Sequence, residues 1–323
     1  MYVLPVRLVI IGGTGHIGTF LIPRLVNAGH DVIVASRGKR GPYVAHPAWD
    51  AVRRIDIDRT AEDAAGTFGA RIAALEADAV VDLICFTPAS AQHLVDALRE
   101  RQTLLLHCGT MWVHGRPATV PVTEDAPRHP FGDYGIQKAA IERLLLDSTR
   151  RGVSRAVILH PGHLVGPWWN PLNPAGHFNP NVFTRIAHGE VLQLPNEGME
   201  TVHHVHADDV AQAFELAVNH ADDAVGESFH VVSPAPITLR AYAEAMFGHF
   251  DQPAQLRFLP WDEWQHTVTE AEAAATWDHI AHSPHGSIAK ARQRLGYAPR
   301  YSSLEAVIES VTSLIASGVV RVA

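Results

Sequence analysis

Along the first half of the chain, short β-branched apolar runs alternate with stretches of helical spacing. Residues 6–11 (Val-Arg-Leu-Val-Ile-Ile) predict a strand buried on both faces, as in a parallel sheet, and 31–35, 52–57, 79–86 and 104–108 repeat the pattern. Leu21, Ile22, Leu25 and Val26 mark a helix closed by Gly29, with Pro23 read as early enough for its missing amide to be one of the unpaired ones of the first turn. Residues 61–75, 89–101 and 134–151 predict further helices. Strand and helix alternating at this spacing specify an α/β fold, a doubly wound parallel sheet. After a strand at 155–159, Pro161, Pro167, Pro171, Pro174 and Pro180 mark a long loop that builds a site and opens a second lobe. Strands at 202–205 and 228–232 enclose a helix at 208–219, and a mainly helical C-terminal part follows.

With 323 residues, the chain has room for about two domains at roughly 150 residues each. An apolar fraction of 47% and a charged fraction of 19% are globular values and exclude a disordered or fibrous chain. The net charge of -8 would repel a nucleic-acid duplex or an anionic membrane surface, so neither is expected as a partner. Cys85 and Cys108 lie in no C-x-x-C motif, which fits a reducing, cytoplasmic setting. The apolar run Val3 to Ile11 is interrupted by Arg7 and followed by a glycine-rich turn, unlike a signal peptide, and no later stretch approaches the roughly 20 apolar residues of a membrane span.

The first chemical signal is Gly12-Gly13-Thr14-Gly15-His16-Ile17-Gly18, placed between a strand and a helix. Glycines in that position permit a tight turn and let backbone amides approach a pyrophosphate at a helix N-terminus. An acid at the end of the second strand would select NAD through the ribose 2'-hydroxyl; the chain reads Ala35-Ser36-Arg37-Gly38-Lys39-Arg40, with three cations and no acid. NADP is therefore expected over NAD, with Ser36, Arg37 and Arg40 near its 2'-phosphate. The expected organisation is a dinucleotide-binding Rossmann domain over 1–165, with 201–233 returning to it, and a substrate-binding lobe over 166–200 and 234–323.

Tyr134 and Lys138 stand four apart at the start of a predicted helix and leave on one face about a turn apart. A nearby ammonium and an oxidised nicotinamide would favour the phenolate, making Tyr134 a usable acid/base. Thr110 ends the fifth strand at the edge where ligands of open α/β sheets bind.

Together these motifs resemble the extended short-chain dehydrogenase/reductase family, the NAD-dependent epimerase/dehydratase group. Val113-His114-Gly115, His160-Pro161-Gly162, Gly166-Pro167, Val205-His206-Ala207-Asp208-Asp209-Val210-Ala211 and Leu295-Gly296-Tyr297 extend the likeness over nearly the whole chain. The resemblance implies that Thr110 binds the reacting oxygen, Tyr134 is the general acid/base, and Lys138 holds the nicotinamide ribose. It also implies that Pro161 and Gly162 pack beside the nicotinamide, that Asp56 and Ile57 lie near the adenine, that Asn181 reaches substrate, and that the protein is a homodimer. Among the departures, His114 stands where the family has tyrosine, making it a candidate substrate contact, and His160 replaces the arginine before Pro-Gly. The Arg37-Gly38 ending resembles the atypical branch. Val202 stands where sugar-nucleotide epimerases carry a diphosphate-binding arginine, and 258–289 holds no Lys or Arg. A diphosphate clamp wants guanidinium, so a nucleoside diphosphate sugar fits poorly.

Aromatic residues are the alternative: Trp168 and Trp169 follow the Pro-Gly loop, and indole faces suit a sugar ring. His163 and His177 in the proline-rich loop are placed to touch substrate. No metal is expected, because His204 and His206 would share a strand face with His203 turned away, and no H-E-x-x-H occurs. The expected function is NAD(P)-dependent hydride transfer, as an oxidoreductase or epimerase, on a secondary hydroxyl or carbonyl of a sugar or sugar-like small-molecule substrate. The alternatives are an NADPH-dependent ketone or aldehyde reductase, and a dinucleotide-sensing regulator without catalysis.

Overall fold

The computed structural model describes residues 5–322, so Val3 and Leu4 of the apolar N-terminal run and the last residue of the second lobe lie outside it. Seven parallel strands form the main sheet in the order β11-β6-β5-β4-β1-β2-β3. They are β1 (Arg7–Ile11), β2 (Asp31–Ser36), β3 (Arg53–Asp56), β4 (Ala79–Asp82), β5 (Leu104–Cys108), β6 (Arg155–Pro161) and β11 (Ser228–Val231). Among the described residues three small pairs complete the set: β7 (His163–Val165) with β10 (His204–His206), β9 (Thr201–Val202) with β12 (Ile237–Thr238), and β8 (Leu192–Pro195) with β13 (Leu256–Leu259).

Alternating side chains of the sheet feed two cores. Leu8, Ile10, Val32, Val34, Leu106 and Leu159 pack under α1 (His16–Asn27) and α7 (Ala207–Asn219). Val9, Ile11, Ile33, Val80, Leu105 and Ile158 pack under α3 (Phe68–Ala73), α4 (Pro88–Leu98) and α5 (Gly132–Arg150), beyond the short α2 (Arg59–Ala64). Each aliphatic side chain fully buried this way stabilises the fold by roughly 1.5–3 kcal/mol. A third core, around Phe183, Leu194, Tyr242, Phe247 and Trp264, belongs to residues beyond Val165. It joins α6 (Asn181–Ala187), α9 (Leu239–His249), α10 (Trp261–Trp264), α11 (Glu270–His282) and α13 (Ser303–Ala316), while α8 (Ala221–Ala224) and α12 (Ala289–Leu295) pack into the core under α1 and α7.

Strand order reverses between β1 and β4, and such a switch point opens a crevice at the carboxyl ends of the strands. Pro23 corrects one expectation. Helix α1 begins at His16, so the proline falls in its middle, where the amide it lacks would have met Thr19. The helix is held regardless by its buried face and by Arg24, which donates from Nε and Nη2 to the Asp208 carboxylate of α7 at 2.8 and 2.9 Å. β4 stops at Asp82, four residues short of the expected end, and residues 61–75 form two short helices because Gly66 turns the chain with φ +69°.

Candidate active site

The glycine loop leaves β1 with the Gly12 amide donating to Ala35 O at 2.9 Å and the Gly15 amide donating to Gly12 O at 2.9 Å, then enters α1. A Cβ on Gly18 would fall 1.9 Å from the Gly13 carbonyl oxygen, so glycine there is what lets the helix pack against its own loop. Gly12, Gly15, His16 and Ile17 line a cleft of about 380 Å3, whose glycine cradle and α1 N-terminus fit a dinucleotide pyrophosphate. Thr14 stands beside that lining, partly exposed, and Gly18 lies behind it. Arg40 lines the cleft and donates from Nη1 to the Tyr43 hydroxyl at 2.9 Å. Arg37 and Ser36 are outside the lining, Arg37 exposed and the Ser36 hydroxyl accepting from the Gly38 amide at 3.4 Å. Asp56 is packed against Gly38, and Ile57 is buried with its amide on Ser36 O at 2.8 Å.

Helix α5 and the end of β5 bring Tyr134, Lys138 and Thr110 to the far side of the same cleft, with Pro161 and Gly162 at its floor. Lys138 is buried, and its Nζ donates to Cys85 O at 2.8 Å and Cys108 O at 2.7 Å, leaving one ammonium hydrogen for the cleft. Burial holds this amine below its ordinary pKa. The Tyr134 ring packs edge-on to Trp112 at 5.8 Å, and its surface remains 43% exposed. Desolvation pushes its phenol up to about 12 and nearby Cys108 adds to this, while the neighbouring Thr110 hydroxyl pulls the other way. Without a second positive charge beside it, therefore, the phenol stays protonated at neutral pH.

Beyond Tyr134 the cleft continues into a hollow of about 230 Å3. Trp112, Trp169 and Phe178 wall it; Thr110, Tyr134 and His163 are its other functional side chains, and its lining contains no Lys or Arg among the described residues. Both ring nitrogens of His163 are buried without a hydrogen-bond partner, and burial lowers its pKa well below the ordinary value. Trp169 stacks on His16 at 4.7 Å and borders both spaces. Tyr43, Phe86, Trp112 and Phe178 also line these spaces and were missed from sequence; only the Trp112 neighbourhood, two residues past Thr110, carried a signal.

Several candidates fall elsewhere. His114 is turned behind the hollow: it is 5% exposed and its Nε2 meets His230 Nε2 at 2.8 Å. The Nδ1 of His230 faces Ser287 O at 3.2 Å and so is the donor there, leaving its Nε2 to accept from His114. Trp168 takes φ +65°, with its amide on the Ser313 hydroxyl, and stands outside the lining that Trp169 enters. Asn181 opens α6 at the exposed surface, with Phe178 occupying the lining instead. His177 is buried against Asn173. His203, His204 and His206 diverge to Ser233 O, Leu172 O and Glu309. Asp82, Cys85 and His107 converge within 4.8 Å, but the Arg59 guanidinium already pairs with Asp82 and Lys138 stands nearby, so the local charge is answered without a cation.

The model of the NAD dependent epimerase/dehydratase family matches residues 8–231, and the chain belongs to that family. It is similar to a 2'-dehydrokanamycin reductase of Streptomyces kanamyceticus, 28% identical over 85% of this chain and 76% of the relative. It also resembles a dTDP-6-deoxy-L-talose 4-dehydrogenase (NAD(P)(+)) of Kitasatospora kifunensis, 24% identical over 96% of both. Its fold matches a UDP-glucose 4-epimerase of Thermotoga maritima with UDP-glucose, with a TM-score of 0.73 and 19% identity, covering 96% of this chain and 99% of that one. The protein is thus an enzyme of the extended short-chain dehydrogenase/reductase type, built to bind a nicotinamide dinucleotide.

Proposed function

We propose that the protein is an NADP(H)-preferring oxidoreductase acting on a secondary hydroxyl or carbonyl of a single sugar-like ring that carries no nucleoside diphosphate. The hollow beyond Tyr134 carries this reading: its size suits one ring, its walls are aromatic, and its lining offers no guanidinium for a diphosphate. Val202, fully buried in the third core, supports the same view. The bound dinucleotide supplies or accepts hydride at its nicotinamide ring. Thr110 would hold the reacting oxygen, Tyr134 would give or take its proton, and the free Lys138 hydrogen would anchor the adjoining ribose. The reductive direction, in which the dinucleotide dissociates every turnover, is favoured by the likeness to a 2'-dehydrokanamycin reductase.

The test is mass spectrometry of any nucleotide released from freshly purified protein, followed by NADPH and NADH titration and a carbonyl survey. Micromolar NADPH binding to an initially empty site is expected, with Tyr134→Phe losing at least a hundredfold in turnover while NADPH affinity stays within a few fold. A retained stoichiometric dinucleotide would point instead to epimerisation. Parallel loss of binding in Tyr134→Phe would overturn the role assigned to that residue.

A further inference from the structure

On helix α5, Tyr134 and Lys138 are followed one turn later by a third functional group on the same face, Glu142. Glu142 is 3% exposed and turns behind the cleft. Its Oε1 lies 3.1 Å from His160 Nε2, and it receives a two-pronged ion pair from Arg128, Nε to Oε2 at 3.0 Å and Nη2 to Oε1 at 2.7 Å. The other His160 nitrogen, Nδ1, accepts from the Thr110 backbone amide at 2.9 Å. An N–H can only donate, so Nδ1 must be bare and the proton must sit on Nε2, where it donates to Glu142.

The sheet explains why such a contact is needed. Strands β5 and β6 pair as far as Cys108 with Leu159, and the Gly109 amide still reaches Leu159 O at 2.7 Å. One residue later the ladder has ended, and the Thr110 amide is buried with no strand carbonyl to meet. His160 meets that amide with its side chain instead. Gly109 makes room for it: a Cβ there would fall 2.4 Å from His160 Nδ1.

We propose that His160 and Glu142 are positioning residues that lock Thr110 to the helix carrying Tyr134, fixing the spacing between the two hydroxyls that share the substrate oxygen. The proposal rests on the roles given to Thr110 and Tyr134 above. It assigns a purpose to a histidine at this position, because a guanidinium or an ammonium there would have no acceptor to offer the Thr110 amide. Neither residue touches substrate; both act through Thr110. The groups bearing on the Tyr134 phenol from other elements are Thr110 and Cys108.

The test needs no substrate. Tyr134 is replaced in the full-length chain by 3,5-difluorotyrosine, a more acidic phenol whose 19F signal reports its ionisation within the folded pH range. Its pKa is then compared in the parent, Thr110→Val, His160→Leu, His160→Gln and the Thr110→Val/His160→Leu pair. Thr110→Val and His160→Leu are expected to raise the pKa by similar amounts, the pair by no more than either, and His160→Gln, which keeps an acceptor and a donor, to restore most of the parent value. A parent-like pKa in His160→Leu alongside a raised one in Thr110→Val overturns the relay, as do additive effects. An unmoved pKa in Thr110→Val overturns the pairing of Thr110 with Tyr134 itself. Should His160→Leu fail to fold, the long-range 1H–15N spectrum of the unaltered protein decides: the Nε2–H tautomer at His160 supports the relay, and a proton on Nδ1 refutes it.

Discussion

Single residues divide by whether their placement depends on local or distant chain. Tyr134 and Lys138 were legible because one helical turn sets their spacing, and Thr110 because it ends a strand at the ligand edge. His114 and Asn181 were not, since whether a side chain enters a hollow or turns behind it is decided by partners such as His230, more than a hundred residues away from His114. Trp168 and Trp169 are alike in sequence, yet a left-handed backbone at the first puts only the second in the lining. The cations after β2 show the same limit, three being readable and Arg40 alone lining the cleft. Arg40→Ala is accordingly expected to weaken NADPH binding about tenfold, or ~1.4 kcal/mol, and leave NADH within twofold, as measured by fluorescence titration of both. Equal losses for the two would assign Arg40 to the shared part of the dinucleotide.

At the scale of elements, periodicity located strands and helices but not their ends. β5 matches its expected range of 104–108, whereas β4 ends at Asp82 because its backbone there turns to let the Asp82 carboxylate meet Arg59 and the Ile84 amide. That ion pair is a tertiary event with no trace in hydrophobic spacing. The glycine loop was legible because close approach leaves few residue types to choose from. Gly18→Ala tests it: the added methyl must push α1 from the loop, at a cost of roughly 2–3 kcal/mol. A lowered denaturant midpoint with at least a tenfold loss of dinucleotide affinity is expected, and unchanged binding would show that the loop and helix can separate without consequence.

For the whole molecule, the telling property is how many of its histidines are buried neutral. Desolvation holds His16, His204, His206 and His279 at about 4 and His114 and His203 at about 3, against 6.5 when exposed. The folded pKa values are lowered, so the unfolded chain takes up protons first; this stabilisation is complete above pH 6.5 and is lost as pH falls toward 4. Each such group contributes ~1.4 kcal/mol per pH unit across that window. Denaturant unfolding between pH 7 and 5 should therefore show uptake on the order of four protons. A flat stability profile would mean that these imidazoles are hydrated in solution.

One arrangement bears on how the chain is made. The apolar face of α1, the helix that begins at the glycine loop, is covered by α7, whose Val210 and Phe214 lie nearly two hundred residues downstream, and Arg24 waits for Asp208 and Glu215 on the same helix. During synthesis the ribosome releases the first helix long before its cover exists. A nascent chain that stops short of Asn219 carries Leu21, Ile22 and Leu25 bare to water or to a chaperone, and a nucleotide site whose supporting helix has nothing to rest on.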